Sequence, residues 1–267
     1  MPCTFSHPAA VLPLRRLCPR HLDFPALVIG SMTPDVGYYV HRFEMAGFAH
    51  SFAGSIIVCL PTGALLLLIF YLMRKQVCYL LPMPHRGALL ALCSNPVSIT
   101  PRRLLITLSC LLLGAWSHNL WDSFTHETGW FAQRISWLRD PVFTVGFTPF
   151  TGYYLLQQIS TVLGGFALLV VYYSWMSRQC SAQDVDVSAE RWRYFLWVTI
   201  IGAALLVALP LAFRAARLLD GYLAFRVFVF RTAIYFVAAA TPMITLVSTI
   251  AYARRRHQRP SLAKAGR

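Results

Sequence analysis

Apolar residues in this chain come in blocks rather than in alternation. Five blocks stand out, at about 53–73, 104–121, 153–175, 195–213 and 232–252. Each is close to the roughly 20 apolar residues a helix needs to cross a bilayer. Polar residues collect between the blocks. The pattern predicts an all-α, polytopic membrane helix bundle of about five transmembrane spans. Residues 1–52 are also apolar, but prolines and charges interrupt them. There Pro8 suits the first turn of a helix, with Ser6 or His7 near its cap, and Ala9 to Leu17 read as a short amphipathic helix. Phe24 to Met32 is too short to span and stops at Thr33-Pro34-Asp35, so residues 1–52 form an interfacial or re-entrant helical region. Pro61 and Gly63 lie inside the first block and predict a kink. The expected organisation is the N-terminal region 1–52, a core of three spans over 53–180, a two-span region over 181–253, and a basic tail over 254–267.

Composition agrees with the blocks. The chain is 57% hydrophobic and only 13% charged, where a soluble domain carries about 25% charged residues. A net charge of +14 raises the question of nucleic acid. The basic residues, however, sit in short clusters between spans, as topology signals do, and nucleic acid is not an expected partner. The loop 74–103 holds Arg74, Lys75, Arg86, Arg102 and Arg103, and the tail beyond the last span holds six more, whereas 122–152 holds only Arg134 and Arg139. The positive-inside rule then puts the C-terminus in the cytoplasm and the 122–152 loop outside. Arg15, Arg16, Arg20 and Arg42, with Arg214, Arg217, Arg226 and Arg231, fall on the outer side and weaken that orientation. The N-terminus lacks an early basic region and does not resemble a cleavable signal peptide. None of the seven cysteines forms a CxxC pair, and no disulfide framework is expected.

Against this apolar background, the stretch from Trp116 to His126 is unusual. His118, Asp122 and His126 recur every fourth residue. A continuing helix stacks them on one face with a drift of about 40° per step. The chain has ten acidic residues, and one of them stands between two imidazoles at the edge of a span. Polar groups in that position are functional candidates, and imidazole with carboxylate is a donor set that zinc and similar ions take. The first span begins just after His50 and the second ends at His118–Asp122, so an antiparallel hairpin brings these ends to one membrane face. His7 and Asp35 precede His50 without a full span between them and belong to the same face. His21, His41, His85 and His257 stand among loop or basic residues and read as surface. Gln157, Gln158, Ser160 and Thr161 make a polar patch in the third span that suits helix–helix hydrogen bonding. Trp121, Trp130, Tyr153, Tyr154, Trp175, Trp192 and Trp197 sit near span ends as interface anchors.

Several motifs carry a resemblance. They are Thr4-Phe5-Ser6-His7-Pro8-Ala9-Ala10-Val11-Leu12-Pro13-Leu14, Gly30-Ser31-Met32-Thr33-Pro34-Asp35, His50-Ser51, and Ser117-His118-Asn119-Leu120-Trp121-Asp122-Ser123-Phe124-Thr125-His126. In this order, over roughly residues 1–180, they resemble a bacterial integral-membrane family known only as a domain of unknown function. The same skeleton is more distantly similar to the membrane-bound metal-dependent hydrolases, and through them to the α-helical zinc-dependent phospholipases C. The counterparts are His7, Pro34-Asp35, Gly47-Phe48-Ala49-His50-Ser51 and His118-x3-Asp122-x2-Thr125. Those hydrolases often follow Pro-Asp with a second Asp and a His, where this chain has Val36-Gly37-Tyr38. They also carry His-Arg before the Gly-x-x-His-Ser motif, where this chain has Met45-Ala46. These departures reduce the expectation to a one- or two-metal site.

The resemblance implies a divalent metal, zinc above all, held by His7, Asp35, His50, His118 and Asp122. Such an ion lowers the pKa of a bound water toward ~7 and polarises a phosphoryl or carbonyl oxygen. His126 or Glu127 is the expected catalytic proton shuttle. The implied function is a metal-dependent hydrolase of a phosphoester or phospholipid, with membrane lipids as surroundings and the site on the periplasmic face of the bacterial inner membrane. The alternative is a non-catalytic multi-pass protein, a transporter subunit or an assembly factor, that keeps a degenerate metal site.

Overall fold

The computed structural model describes residues 4–17, 22–94, 100–146, 148–179 and 187–265. His21, Arg20, Cys3, Cys18 and Cys180 lie outside the described residues. In chain order the helices are α1 (Pro8–Leu17), α2 (Phe24–Gly30), α3 (Val36–Tyr39), α4 (Phe43–Ala49), α5 (Phe52–Gly54), a π-helical turn (Ser55–Cys59), α6 (Leu60–Leu80), α7 (His85–Ser94) and α8 (Pro101–Thr125). They continue with α9 (Trp130–Arg134), α10 (Ser136–Arg139), strands β1 (Pro141–Val145) and β2 (Thr148–Thr151), α11 (Gly152–Gln179), α12 (Val187–Ala216) and α13 (Gly221–Ala265). Five helical runs, Phe52–Leu80, Pro101–Arg134, Gly152–Gln179, Glu190–Ala216 and Gly221–Arg255, are long and apolar enough to cross a membrane. They leave large side chains such as Val162, Phe195 and Leu206 bare. Apart from the short β1–β2 pair the architecture is helical, and it fits a multi-pass membrane protein.

Three local features differ from the sequence pattern. The irregularity expected from Pro61 and Gly63 occurs one turn earlier, as the π-helical turn Ser55–Cys59. The physical reason is Pro61 itself, whose ring presses on the carbonyl four residues back, Ile57, inside that turn. The 122–152 segment is more than a loop. It holds α9, α10 and an antiparallel β1–β2 pair that turns at Gly146 with φ +60. The last helix starts before its apolar block and continues through the basic tail to Ala265.

Two compact units divide the chain, residues 1–68 with 98–173 and residues 69–97 with 174–267. In the first, α2 lies along α8 with backbone against backbone. A Cβ on Gly30 would stand 2.3 Å from the Leu111 carbonyl oxygen, and one on Gly114 would stand 2.4 Å from that of Leu27. Small residues at both positions are what let the helices approach this closely. Asp23 caps α2 by accepting from the Ala26 N–H at 3.2 Å, and it also accepts from Thr107 Oγ1 at 2.8 Å. Thr107 stands fifteen residues before Asp122 on α8, about 22 Å at a rise of 1.5 Å per residue. The α1–α2 segment therefore runs deep beside α8 and comes back.

In the second unit, α12 buries the stripe Ala204, Ala208, Ala212 and Ala216 at helical spacing, and α13 is its main packing partner. The last carbonyls of α6, which have no partner within their own helix, are met from α12. Arg193 Nε donates to Tyr79 O and Trp197 Nε1 to Leu80 O, each at 3.2 Å. Trp197 is thus a helix cap as well as an aromatic near a span end.

Candidate metal centre

The centre is assembled from four elements of the first unit. His118 and Asp122 belong to the buried stripe Leu111, Ala115, His118, Asp122 and Thr125 on α8. These 3- and 4-residue steps mark one helix face. His7 sits between the 3-10 turn Thr4–Ser6 and α1, which starts at Pro8 as expected. Asp35 closes the 3-10 turn Thr33–Asp35, and His50 is the residue after α4. Asn119 fastens the His50 region to α8, its Nδ2 donating to Ala49 O at 3.2 Å and to Ser55 Oγ at 3.0 Å.

The five side chains converge. Nε2 of His50 and Nε2 of His118 each stand 3.3 Å from Asp122 Oδ2. They stand 3.6 and 3.7 Å from Asp35 Oδ1. His7 Nε2 is 3.6 Å from Asp122 Oδ1, and its ring stacks on His118 with centroids 3.6 Å apart. Four donors around one ion at bonds of ~2.1 Å are separated by about 3.4 Å, so these spacings fit a shared cation.

Orientation and burial agree with that reading. His118 Nδ1 is 2.8 Å from the Ser31 carbonyl and His50 Nδ1 is 2.7 Å from that of Ala46. With those nitrogens donating, each Nε2 is directed at the carboxylates and is free to ligate an ion once its proton is displaced, as imidazole ligands do when the backbone fixes the ring. Thr4 Oγ1 donates to Asp35 Oδ2 at 2.6 Å and accepts from the Tyr39 hydroxyl at 2.9 Å, leaving Asp35 Oδ1 for the centre. Five buried atoms, His7 Nε2, Asp35 Oδ1, His118 Nε2, and both Asp122 oxygens, have no hydrogen-bond partner. Each such orphan costs roughly 1–3 kcal/mol. Positive charge at their common focus, a metal ion or protons on the imidazoles, answers all five.

Two trios of donors, His7–Asp35–His118 and His50–His118–Asp122, could each hold a metal ion. Both use His118, whose Nδ1 is committed to Ser31, so its single free nitrogen serves one ion. The trios are two faces of one centre. The donors are all nitrogen and oxygen, the set taken by zinc and similar divalent ions. Cys59, the nearby thiol, is directed at Ala49 O at 3.5 Å.

Charge is arranged to match. Burial and the adjoining His118 ring push the His7 imidazole down to about 3, against the pull of Asp122 and Asp35. Burial favours a neutral acid at Asp35, but His118, His50 and Thr4 outweigh it and hold the carboxyl below the usual carboxylate range. Burial also opposes a charge on His50. There the Asp122 and Asp35 carboxylates win and hold the imidazole up to about 10. A cation at this point competes with the His50 proton for the same carboxylates.

His126 and Glu127, the expected proton shuttles, are placed differently. The α8 helix ends at Thr125, so His126 is its C-cap in extended conformation and not the next residue of the stripe. Its Nδ1 still reaches to 3.4 Å from Asp122 Oδ2. Its Nε2 lies 3.4 Å from the amide nitrogen of Gln157, a buried residue of α11. Glu127 is exposed in the following turn, and its carbonyl accepts from the Gln133 side chain. The polar patch on α11 thus divides. Ser160 makes the expected interhelical bond, accepting from Trp121 Nε1 at 3.2 Å, and Gln157 faces the centre. The supporting residues Thr4, Ser31, Tyr39, Asn119 and Gln157 are not apparent as site residues in the sequence. Their one signal is proximity to the His and Asp positions, since Thr4 is three residues before His7 and Tyr39 four after Asp35.

The fold and this cluster define the class, a multi-pass helical protein with a buried His/Asp centre able to hold a metal ion. Over residues 1–252 the chain matches the family described as a domain of unknown function (DUF4184), and it belongs to that family. The match continues through the last two spans, beyond the residue-180 limit of the motif resemblance. No curated protein and no solved structure matches the chain.

Proposed function

We propose that this protein is a membrane-bound, metal-dependent hydrolase of a phosphoester carried by an amphiphile. The five orphaned polar atoms of two imidazoles and two carboxylates, focused on one point beside His50, carry the reading. A bound zinc-type ion supplies a nucleophilic water at neutral pH and polarises the phosphoryl oxygen. The chain's own groups do the rest. Ser31 and Ala46 fix the His118 and His50 tautomers, and Thr4 orients Asp35. His118 is fully buried, while the side chains of His50 and His126 are 22% and 27% exposed, so the centre has a floor and a mouth. At that mouth His126 takes the proton released by the attacking water and returns it to the departing alcohol oxygen. Uptake at Nδ1 requires Nε2 to carry the ring hydrogen, which the Gln157 side chain accepts once its amide is turned to present the oxygen. Exposed Phe5, Phe48 and Phe52, the last stacked on Trp116 at 5.6 Å, sit on the elements that carry the ligands and suit an acyl-bearing substrate.

Purified protein is expected to carry a divalent metal and to hydrolyse phosphodiester or phospholipid substrates. Stripping with a chelator should abolish turnover and zinc should restore it. Bound metal without hydrolysis of any substrate in such a panel would leave a metal-binding, non-catalytic protein instead.

The reading also places the protein in a bacterial inner membrane with the centre on the periplasmic side. It rests on the basic clusters of the 74–103 loop and the tail. Reporters fused after Ser94 and after Arg255 should report cytoplasm, and one after Gly129 should report periplasm. Opposite compartments for Ser94 and Arg255 would break the five-span topology.

A further inference from the structure

The second unit holds a cleft of about 340 Å³ between the end of α6, the start of α12 and the end of α13. One wall is apolar, made by Leu196, Val247 and Ile250. The other is aromatic, made by Tyr79 and Trp192, whose rings are 6.3 Å apart. Arg254 and Arg255 stand at its edge, with the Arg255 guanidinium 4.8 Å from the Tyr79 ring centroid.

The local charge is one-sided. Glu190 is the sole acidic residue at this end of the unit among the described residues, and it is already committed. It accepts from Arg86 Nη2 at 2.7 Å, from Arg193 Nη1 at 3.0 Å and from the Met83 N–H at 3.2 Å. Glu190 and Arg193 are buried and hold the aromatic wall in place, since the Arg193 guanidinium lies over both Trp192 (4.3 Å) and Tyr79 (5.1 Å). Among the described residues of the unit, no carboxylate pairs with Arg254 or Arg255.

We propose that this cleft binds one anionic phospholipid. Its phosphate rests between Arg254 and Arg255, and an acyl chain lies along Leu196, Val247 and Ile250. The two arginines close the fifth apolar helical run and Glu190 opens the fourth, so the cleft stands where such helices meet the headgroup layer. Charge complementarity selects the anionic headgroup, and the apolar wall selects a lipid over a soluble phosphate. The site uses no residue of the metal centre.

The test is quenching of Trp192 fluorescence in full-length protein reconstituted into phosphatidylcholine nanodiscs, with W192F giving the background. Brominated-acyl phosphatidylglycerol should quench at a mole fraction at least tenfold lower than brominated-acyl phosphatidylcholine. The R254Q/R255Q variant should lose this preference. R102Q/R103Q, which removes the same charge elsewhere, should keep it. I250F fills the apolar wall with all charges retained and no added tryptophan and should also lose phosphatidylglycerol quenching, which keeps the test decisive if the arginine variant fails to fold. Metal content should be unchanged in R254Q/R255Q. Equal quenching by the two lipids, equal loss in R102Q/R103Q, or displacement by inorganic phosphate would each overturn the proposal.

Discussion

Replacing His118 by alanine is expected to lower bound divalent metal by at least about tenfold, since even supporting partners of a ligand are worth 10–100-fold in affinity. His118 is fully buried, and its Nε2 is the donor that both trios share. Removing it breaks every arrangement of the centre at once. Asp122→Asn provides the companion variant because it keeps side-chain volume and removes the charge facing His7, His50, His118 and His126. It should lose metal to a similar degree. Membrane insertion should survive in both, because insertion follows the apolar blocks and neither change makes one more polar. His85→Ala, in the other unit, should leave metal content alone. Metal analysis of the three purified variants decides the matter. Equal loss in all three would mean general instability, and the centre would lose its support.

A single added methyl group at Gly114 is expected to do comparable damage without touching a ligand. The Cβ of Gly114→Ala would stand 2.4 Å from Leu27 O and 2.6 Å from the Ser31 N–H nitrogen, both backbone atoms that cannot swing away. Helix α2 must therefore move off α8, and Ser31 O, which fixes His118, moves with it. Overpacking of this kind costs about 1–3 kcal/mol. We expect that loss in thermal unfolding of detergent-solubilised protein, together with a marked loss of metal. Gly165→Ala is the matched control. Its Cβ would meet nothing within 4 Å, and a mid-helix Gly→Ala change is then neutral or stabilising by up to ~1 kcal/mol. Indistinguishable behaviour of the two variants would show that the α2–α8 contact does not set the geometry of the centre.

Much of the site was legible because its residues are expensive where they stand. A carboxylate between imidazoles at the end of an apolar block draws attention on composition alone. Chain direction through two antiparallel spans was enough to put His50 beside His118. The supporting shell was not legible. Thr4, Tyr39 and Asn119 are ordinary polar residues whose roles depend on which neighbour the fold brings near. The Ser31 and Ala46 contributions are carbonyl groups, which every residue has. Glu127 shows the converse. Its position next to His126 suggested a shared role, but the chain leaves the helix at Thr125 and carries the Glu127 side chain to the surface.

The sequence by itself determined the helical, membrane-type architecture. A block of some twenty apolar residues has one low-energy form in a bilayer, the helix that satisfies its own backbone. It also determined which imidazoles and carboxylates could share a face, because 3.6-residue periodicity and the span count are properties of the chain alone. Tertiary structure decided the rest. The depth of the α1–α2 segment depends on Gly30 and Gly114 meeting across two helices. The π-helical turn before Pro61 depends on how one ring displaces one carbonyl. The focus of five orphaned atoms on one point depends on contacts between residues up to 115 positions apart (His7 and Asp122). Such contacts are set by packing, and local sequence has no means of encoding the distance between them.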